Sequence, residues 1–217
     1  MEISNEVVFT VCGLRVTESI VVSWIVIGVI LLLSFLLTRG FKVTHIGKRQ
    51  AFMEWAVTSL QNIVRNMIGP EGERYVGYLV AVLLYIGTCN IAGVFGFDPP
   101  TKDLSITAAL ALMSIVLIQA ASIRHNRIGG WIKGFTKPAA LVTPINIMEL
   151  AIRPLSLCMR LFGNVLGAYI IMELIDGLCP VGVPIIASLY FDFFDGLLQA
   201  YVFVFLTSLF IKEGLED

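Results

Sequence analysis

Three stretches of this sequence, Ser19–Thr38, Tyr75–Phe97 and Leu104–Ile123, contain no charged residue at all. A helix rises about 1.5 Å per residue, so roughly 20 such residues cross a hydrocarbon layer of about 30 Å. The last third, Asn146–Ile211, is also apolar but carries scattered charge. It divides near Cys179-Pro180-Val181-Gly182-Val183-Pro184, where proline removes a helix donor and glycine loosens the backbone. The expected fold class is an all-α polytopic membrane protein with about five membrane helices. Spans at 19–38, 75–97 and 104–123 precede two long helices at 146–178 and 185–211 that form a hairpin, and residues 1–217 make one membrane domain. Only 14% of the residues are charged, against about 25% in soluble domains, so no soluble domain is expected within the chain.

Residues 51–68 read differently. Phe52, Trp55, Val57, Leu60, Ile63, Val64 and Met67 recur at helical spacing, with Glu54, Gln61, Asn62, Arg65 and Asn66 between them. That pattern fits an amphipathic helix at the cytoplasmic interface or a plain cytoplasmic hairpin helix, ended by Gly69-Pro70-Glu71-Gly72. Basic residues set the orientation. Arg39, Lys42, Lys48 and Arg49 follow the first span, and Arg124, Arg127, Lys133 and Lys137 follow the third. Both loops are expected in the cytoplasm, with the N-terminus outside and the C-terminus inside. The N-terminus lacks a basic segment before a short apolar run and does not read as a cleaved signal peptide. The net charge of −1 implies no nucleic-acid partner. Cys12, Cys89, Cys158 and Cys179 have neither metal nor redox spacing, so no cofactor and no disulfide framework is expected.

Arg160 stands inside this apolar background. A guanidinium keeps its proton in a protein, so burial cannot remove the charge. At the bilayer centre it costs about 2.5–3.5 kcal/mol on insertion scales, and intramembrane ionisable residues mark ion paths or pair with one another. At roughly 100° per residue, Asn146, Glu149, Arg153, Ser156, Arg160 and Asn164 share a stripe of the first hairpin helix, with Gly163 and Gly167 beside it. Tyr169, Glu173 and Asp176 fall on roughly the other side, nearer the outer end. Gly163 and Gly167 give a small surface that another helix can approach closely; ordinary helix packing is the alternative. On the second hairpin helix Asp192, Asp195, Gly196 and Gln199 fall at helical spacing on one face. The two acids either serve a proton relay or pair with Arg153 or Arg160.

The run from Glu149 to Asn164, containing Arg153-Pro154 and Arg160-Leu161-Phe162-Gly163-Asn164, resembles the signature helix of subunit a of F-type ATP synthases. Leu198-Gln199-Ala200-Tyr201-Val202-Phe203 resembles that family's last helix. Cys89-Asn90-Ile91-Ala92-Gly93 with Pro99-Pro100-Thr101 and Asp103–Thr107 is similar to its middle region. By this resemblance Arg160 is the family's invariant arginine, Arg153 its basic position before the proline and Gln199 its glutamine. Two positions depart from the bacterial pattern: Tyr169 stands where a glutamate is frequent, and Asp192 where a histidine is frequent.

The resemblance implies a stator that faces a ring of rotor c subunits, each with an ion-binding carboxylate, and that contacts peripheral-stalk b subunits. Two offset half-channels carry H⁺ or Na⁺ to the ring, and Arg160 separates them. Asp192, Asp195, Glu173, Asp176 and Tyr169 are assigned to the outer half-channel, with Gln199 and Asn164 near Arg160. Asn146, Glu149 and Arg153 are assigned toward the cytoplasmic end, and Ser156, Gly163 and Gly167 to packing on the rotor. Asp103 either joins the outer funnel or caps the helix that begins at Leu104. The cell membrane, bacterial by resemblance, is the implied location. No phosphate-binding glycine loop is present, so nucleotide chemistry falls to partner subunits. Other classes for such a chain are a self-contained secondary transporter or channel, or a membrane enzyme acting on lipid head groups.

Overall fold

The computed structural model describes residues 7–11, 14–39, 47–94, 99–134, 143–178 and 182–216. Strands β1 (Val7–Val11) and β2 (Leu14–Thr17) form an antiparallel hairpin. Phe9 lies opposite Val16 and Val11 opposite Leu14, with a bulge between Val7 and Phe9. Apolar periodicity at the sequence level did not mark this hairpin. It leads directly into helix α1 (Glu18–Thr38).

Helix α2 (Lys48–Ile68) ends at Gly69, whose φ of 78° is a conformation open to glycine. A short turn, Pro70–Tyr75, carries the chain into α3 (Val76–Val94). The Arg65–Glu73 ion pair, 2.6 Å, spans that turn at the surface. Helix α4 (Leu104–Gly134) runs well past Ile123, where the uncharged stretch stops. A helix is ended by its backbone hydrogen bonding, and charged residues such as Arg124 continue it readily once they are exposed.

Helix α5 (Thr143–Leu178) contains Pro154, which withdraws one backbone donor from the ladder. After Gly182, at φ 86°, the chain returns through α6 (Val183–Ser188), a π-helical turn (Leu189–Asp195) and α7 (Gly196–Glu216). The π turn inserts extra backbone, so positions before it are rotated relative to a uniform 3.6-residue helix.

Five helices are long and apolar enough to cross a membrane: Glu18–Thr38, Pro70–Gly93, Leu104–Asn126, Thr143–Ile175 and Ile186–Leu215. The chain is an all-α polytopic membrane protein in its spanning architecture, with a small β-hairpin ahead of it. Helix α7 is the hub of the bundle and packs on α2, α3 and α4. Its buried residues Ala200, Phe203, Val204, Thr207, Ser208, Ile211 and Leu215 follow three- and four-residue steps. They meet Leu79, Val82 and Ile86 of α3, Ala111, Ile115 and Ile118 of α4, and Val64 and Ile68 of α2 in one core. Leu157, Cys158 and Leu161 bring α5 onto that core. Large apolar side chains such as Leu31, Phe35 and Val116 point outward. In water that surface would aggregate, whereas lipid tails match it.

Candidate functional site

Helix α5 has one stripe turned into the bundle and another turned away. Leu157, Leu161, Val165 and Ala168 are buried. Ser156, Arg160, Gly163 and Asn164, roughly a third of a turn around, are exposed. No atom of another element lies within 4 Å of where a Cβ would stand on Gly163 or Gly167. This stripe is therefore uncovered by the rest of the described chain.

Arg160 sits on the uncovered stripe and makes no hydrogen bond or ion pair among the described residues. Arg153, two turns earlier, is held firmly. Its guanidinium lies 2.7 Å from Glu213 on α7 and 3.2 Å from Glu149 on α5. The Phe210 ring covers it at 4.8 Å. Neither arginine pairs with Asp192 or Asp195 among the described contacts, so the ion pair considered from the sequence is replaced by one at the far end of α7.

Asn164 and Gln199 come together across α5 and α7: the Asn164 amide donates to Gln199 Oε1 at 2.6 Å. Gln199 is 2% exposed, and its Nε2 has no partner among the described residues. A buried N–H without an acceptor is costly, which marks Gln199 Nε2 as the strained polar atom of the α5–α7 seam among the described residues.

Nearer the hairpin turn, Asp192 accepts a 2.6 Å hydrogen bond from Ser188 and packs against Gly93 of α3. A Cβ at Gly93 would stand 3.2 Å from the Asp192 carboxyl, so the glycine makes room for it. Asp195 is half-buried and has no hydrogen-bond partner among the described residues. One turn further on, α7 touches α3 very closely. A Cβ on Gly196 would lie 2.7 Å from that of Asn90. Asn90, buried, donates to the Gly196 carbonyl at 2.9 Å and accepts from Thr101 at 2.7 Å. This lock fixes the height of α7, and with it Asp192 and Gln199. The resemblance pointed to Asn90 without a role; a buried amide in an uncharged run was the available signal.

Tyr169 faces Lys102, whose ammonium lies 4.5 Å from the ring centroid. Glu173 is exposed; Asp176 lies on α5 with its side chain outside the described residues. Asn146 is half-buried near the start of α5 and Glu149 exposed one turn on. Asp103 takes the capping role: its Oδ1 accepts the Ser105 amide at 2.9 Å, and its Oδ2 accepts from Thr17 at 3.2 Å. Sequence reasoning did not select Glu213. It lies 14 residues after Gln199, close to four turns along one face, which was the signal that could have found it. Among the described residues, no group of three His, Cys, Asp or Glu side chains could hold a metal ion.

The structure thus brings Arg153 and Glu149 together, Asn164 and Gln199 together, and leaves Arg160 facing outward. The family model described as "ATP synthase A chain" matches residues 20–212. "ATP synthase subunit a 3" of Pelobacter propionicus is 34% identical, covering 92% of this chain and 88% of the relative. "ATP synthase subunit a" of Moorella thermoacetica is 31% identical over 95% of this chain and 94% of the relative. "ATP synthase subunit a, sodium ion specific" of Propionigenium modestum is 30% identical over 95% of this chain and 77% of the relative.

Proposed function

The chain belongs to the ATP synthase A chain family, and from that premise we propose that its α5–α7 seam is the ion path, with Arg160 as the divider between two offset half-channels. As a subunit a of an F-type ATP synthase, the chain is the ion-translocating stator in the membrane sector of a larger complex. The rotor ring of c subunits would lie against the uncovered stripe, where Ser156, Gly163 and Gly167 leave room for its helices. Peripheral-stalk b subunits hold the chain still, and other subunits carry the nucleotide chemistry. We place it in a bacterial cell membrane with its N-terminus outside and its C-terminus in the cytoplasm.

An ion enters through the outer half-channel, along Asp192, Asp195, Glu173, Asp176 and Tyr169, and neutralises a rotor carboxylate. The loaded site travels around the lipid side of the ring. It returns to Arg160 from the other side and releases its ion toward the cytoplasmic half-channel, by Asn146 and Glu149. The sequence reverses when ATP is hydrolysed. Arg160 favours release because its fixed charge stabilises the bare carboxylate, and it repels a cation attempting to pass between the channels. At about 4 Å and an effective dielectric of about 20 that attraction is about 4 kcal/mol. One ion crossing 100 mV yields about 2.3 kcal/mol. The two are of one order, so the gradient can drive the carboxylate off the arginine. The Gln199 amide beside Asn164 stands close to the seam to steady that exchange.

The observation that carries this reading is the contrast between an exposed Arg160 with no partner among the described residues and an Arg153 paired with two carboxylates on the same stripe. ATP-driven ion uptake into sealed inverted membrane vesicles tests it. Wild type pumps, while Arg160→Ala and Arg160→Lys do not, since lysine loses the planar fork and can deprotonate when buried. Normal pumping by Arg160→Ala in sealed vesicles would overturn it. Repeating the assay across sodium concentrations distinguishes H⁺ from Na⁺.

A further inference from the structure

Helix α5 carries two guanidinium groups on one stripe, seven residues apart, and their surroundings are opposite. Arg160 is exposed and unpaired among the described residues. The Arg153 side chain is 17% exposed and lies between Glu149, Glu213 and the Phe210 ring. We propose that Glu149 and Glu213 neutralise Arg153 so that Arg160 is the one unneutralised cation on the stripe, which makes Glu213 a positioning residue for ion translocation. This rests on Arg160 being the divider.

The geometry argues for neutralisation beyond a simple tie. One carboxylate suffices to join α5 to α7, and Glu213 does so at 2.7 Å. Glu149 comes from α5 itself, one turn before Arg153, so its contact joins nothing. Its effect there is electrostatic. The pair of acids takes the site from +1 to −1, counting one guanidinium and two carboxylates. The Phe210 ring presents its negative face on a further side. Seven residues of helix separate the two arginines by about 10 Å along the axis. A bare Arg153 at that distance would stand in the cytoplasmic half-channel itself. It would repel the departing cation and offer each rotor carboxylate a second resting place. With the acids present, the field along the stripe has a single positive maximum, at Arg160.

The test uses the complete complex in sealed inverted vesicles, with the amount of complex set by its detergent-released ATPase activity. Glu149→Gln with Glu213→Gln takes the site from −1 to +1, and ATP-driven pumping is expected to fall on the order of a hundredfold, the effect of two units of charge at about 10 Å and a dielectric of about 20. Adding Arg153→Gln takes the site to zero, removing one of those two units, and is expected to recover about tenfold. A relay through the carboxylates, or a purely mechanical tie, predicts no recovery, because the acids and the bridge are still absent; a triple variant no faster than the double overturns the proposal. Should the double variant fail to assemble, the exchange Arg153→Glu with Glu213→Arg provides the second arm. It keeps the bridge and the net charge, so it is expected to pump, and loss of pumping there overturns the proposal. Arg160→Ala is run alongside. If it pumps, the divider reading fails; if it does not while the triple variant shows no recovery, only the role of Glu213 fails.

Discussion

Gly196→Ala tests the contact that sets the height of α7. The new Cβ would stand 2.7 Å from the Cβ of Asn90, and 3.4 Å from its Cγ. Carbon atoms rest at about 3.5–4.0 Å, so α3 and α7 must part by about 1 Å. Overpacking of this kind costs about 1–3 kcal/mol. The same movement stretches the Asn90–Gly196 hydrogen bond from 2.9 Å beyond useful length, and such bonds in membrane bundles average about 0.6 kcal/mol. The sum is about 2–4 kcal/mol. For a domain of this size, about 2–4 °C of melting temperature is lost per kcal/mol, which gives a fall of roughly 4–16 °C. Thermal unfolding of the chain in detergent, followed by circular dichroism, reads this directly. The shift of α7 also pulls Gln199 away from Asn164, now 2.6 Å apart, so pumping falls as well. Melting within about 2 °C of wild type would refute the argument, because it would mean that the helices accommodate a methyl group without separating.

Three other substitutions separate neighbouring roles. Asn164→Leu leaves both ends of the buried Gln199 amide without partners; a cost of about 1–3 kcal/mol and slower ATP-driven pumping are expected, and unchanged pumping would count against the Asn164–Gln199 pair as a working unit. Asp103→Ala removes the cap of α4 and the link to Thr17; melting is expected to fall by an amount equivalent to about 1 kcal/mol while pumping per assembled complex is retained, whereas lost pumping at normal stability would restore Asp103 to the outer funnel. Tyr169→Leu takes away the ring beneath Lys102, and a loss of about 0.5–2 kcal/mol is expected in unfolding experiments, absent if the contact contributes nothing.

Gly93 and Asp192 show where sequence pattern stops being informative. Both were visible as a small residue and an acid in apolar runs, and neither run says that the two meet. Helical spacing placed Asp192 and Gly196 on one face, and both do meet α3, at Gly93 and Asn90, but spacing alone could not name the helix they meet. The N-terminal hairpin also went unread, since five- and four-residue strands carry too little alternation to stand out.

The spans, the stripes of α5 and the isolation of Arg160 in apolar surroundings were determined by the sequence itself, because hydrophobic length and helical period are local properties of one segment. Pairing is different. Arg153 meets Glu213 across 60 residues, Asn164 meets Gln199 across 35, and Asn90 meets Gly196 across 106. Each is a choice among several partners of the same chemistry, settled by which helices touch and at what height. Asp192 and Asp195 were equally good partners for an arginine on charge alone, and the packing of α7 against α3 turned Asp192 toward Gly93 while its far end delivered Glu213 to Arg153. The tertiary structure therefore decided which guanidinium is ion-paired and which stays exposed.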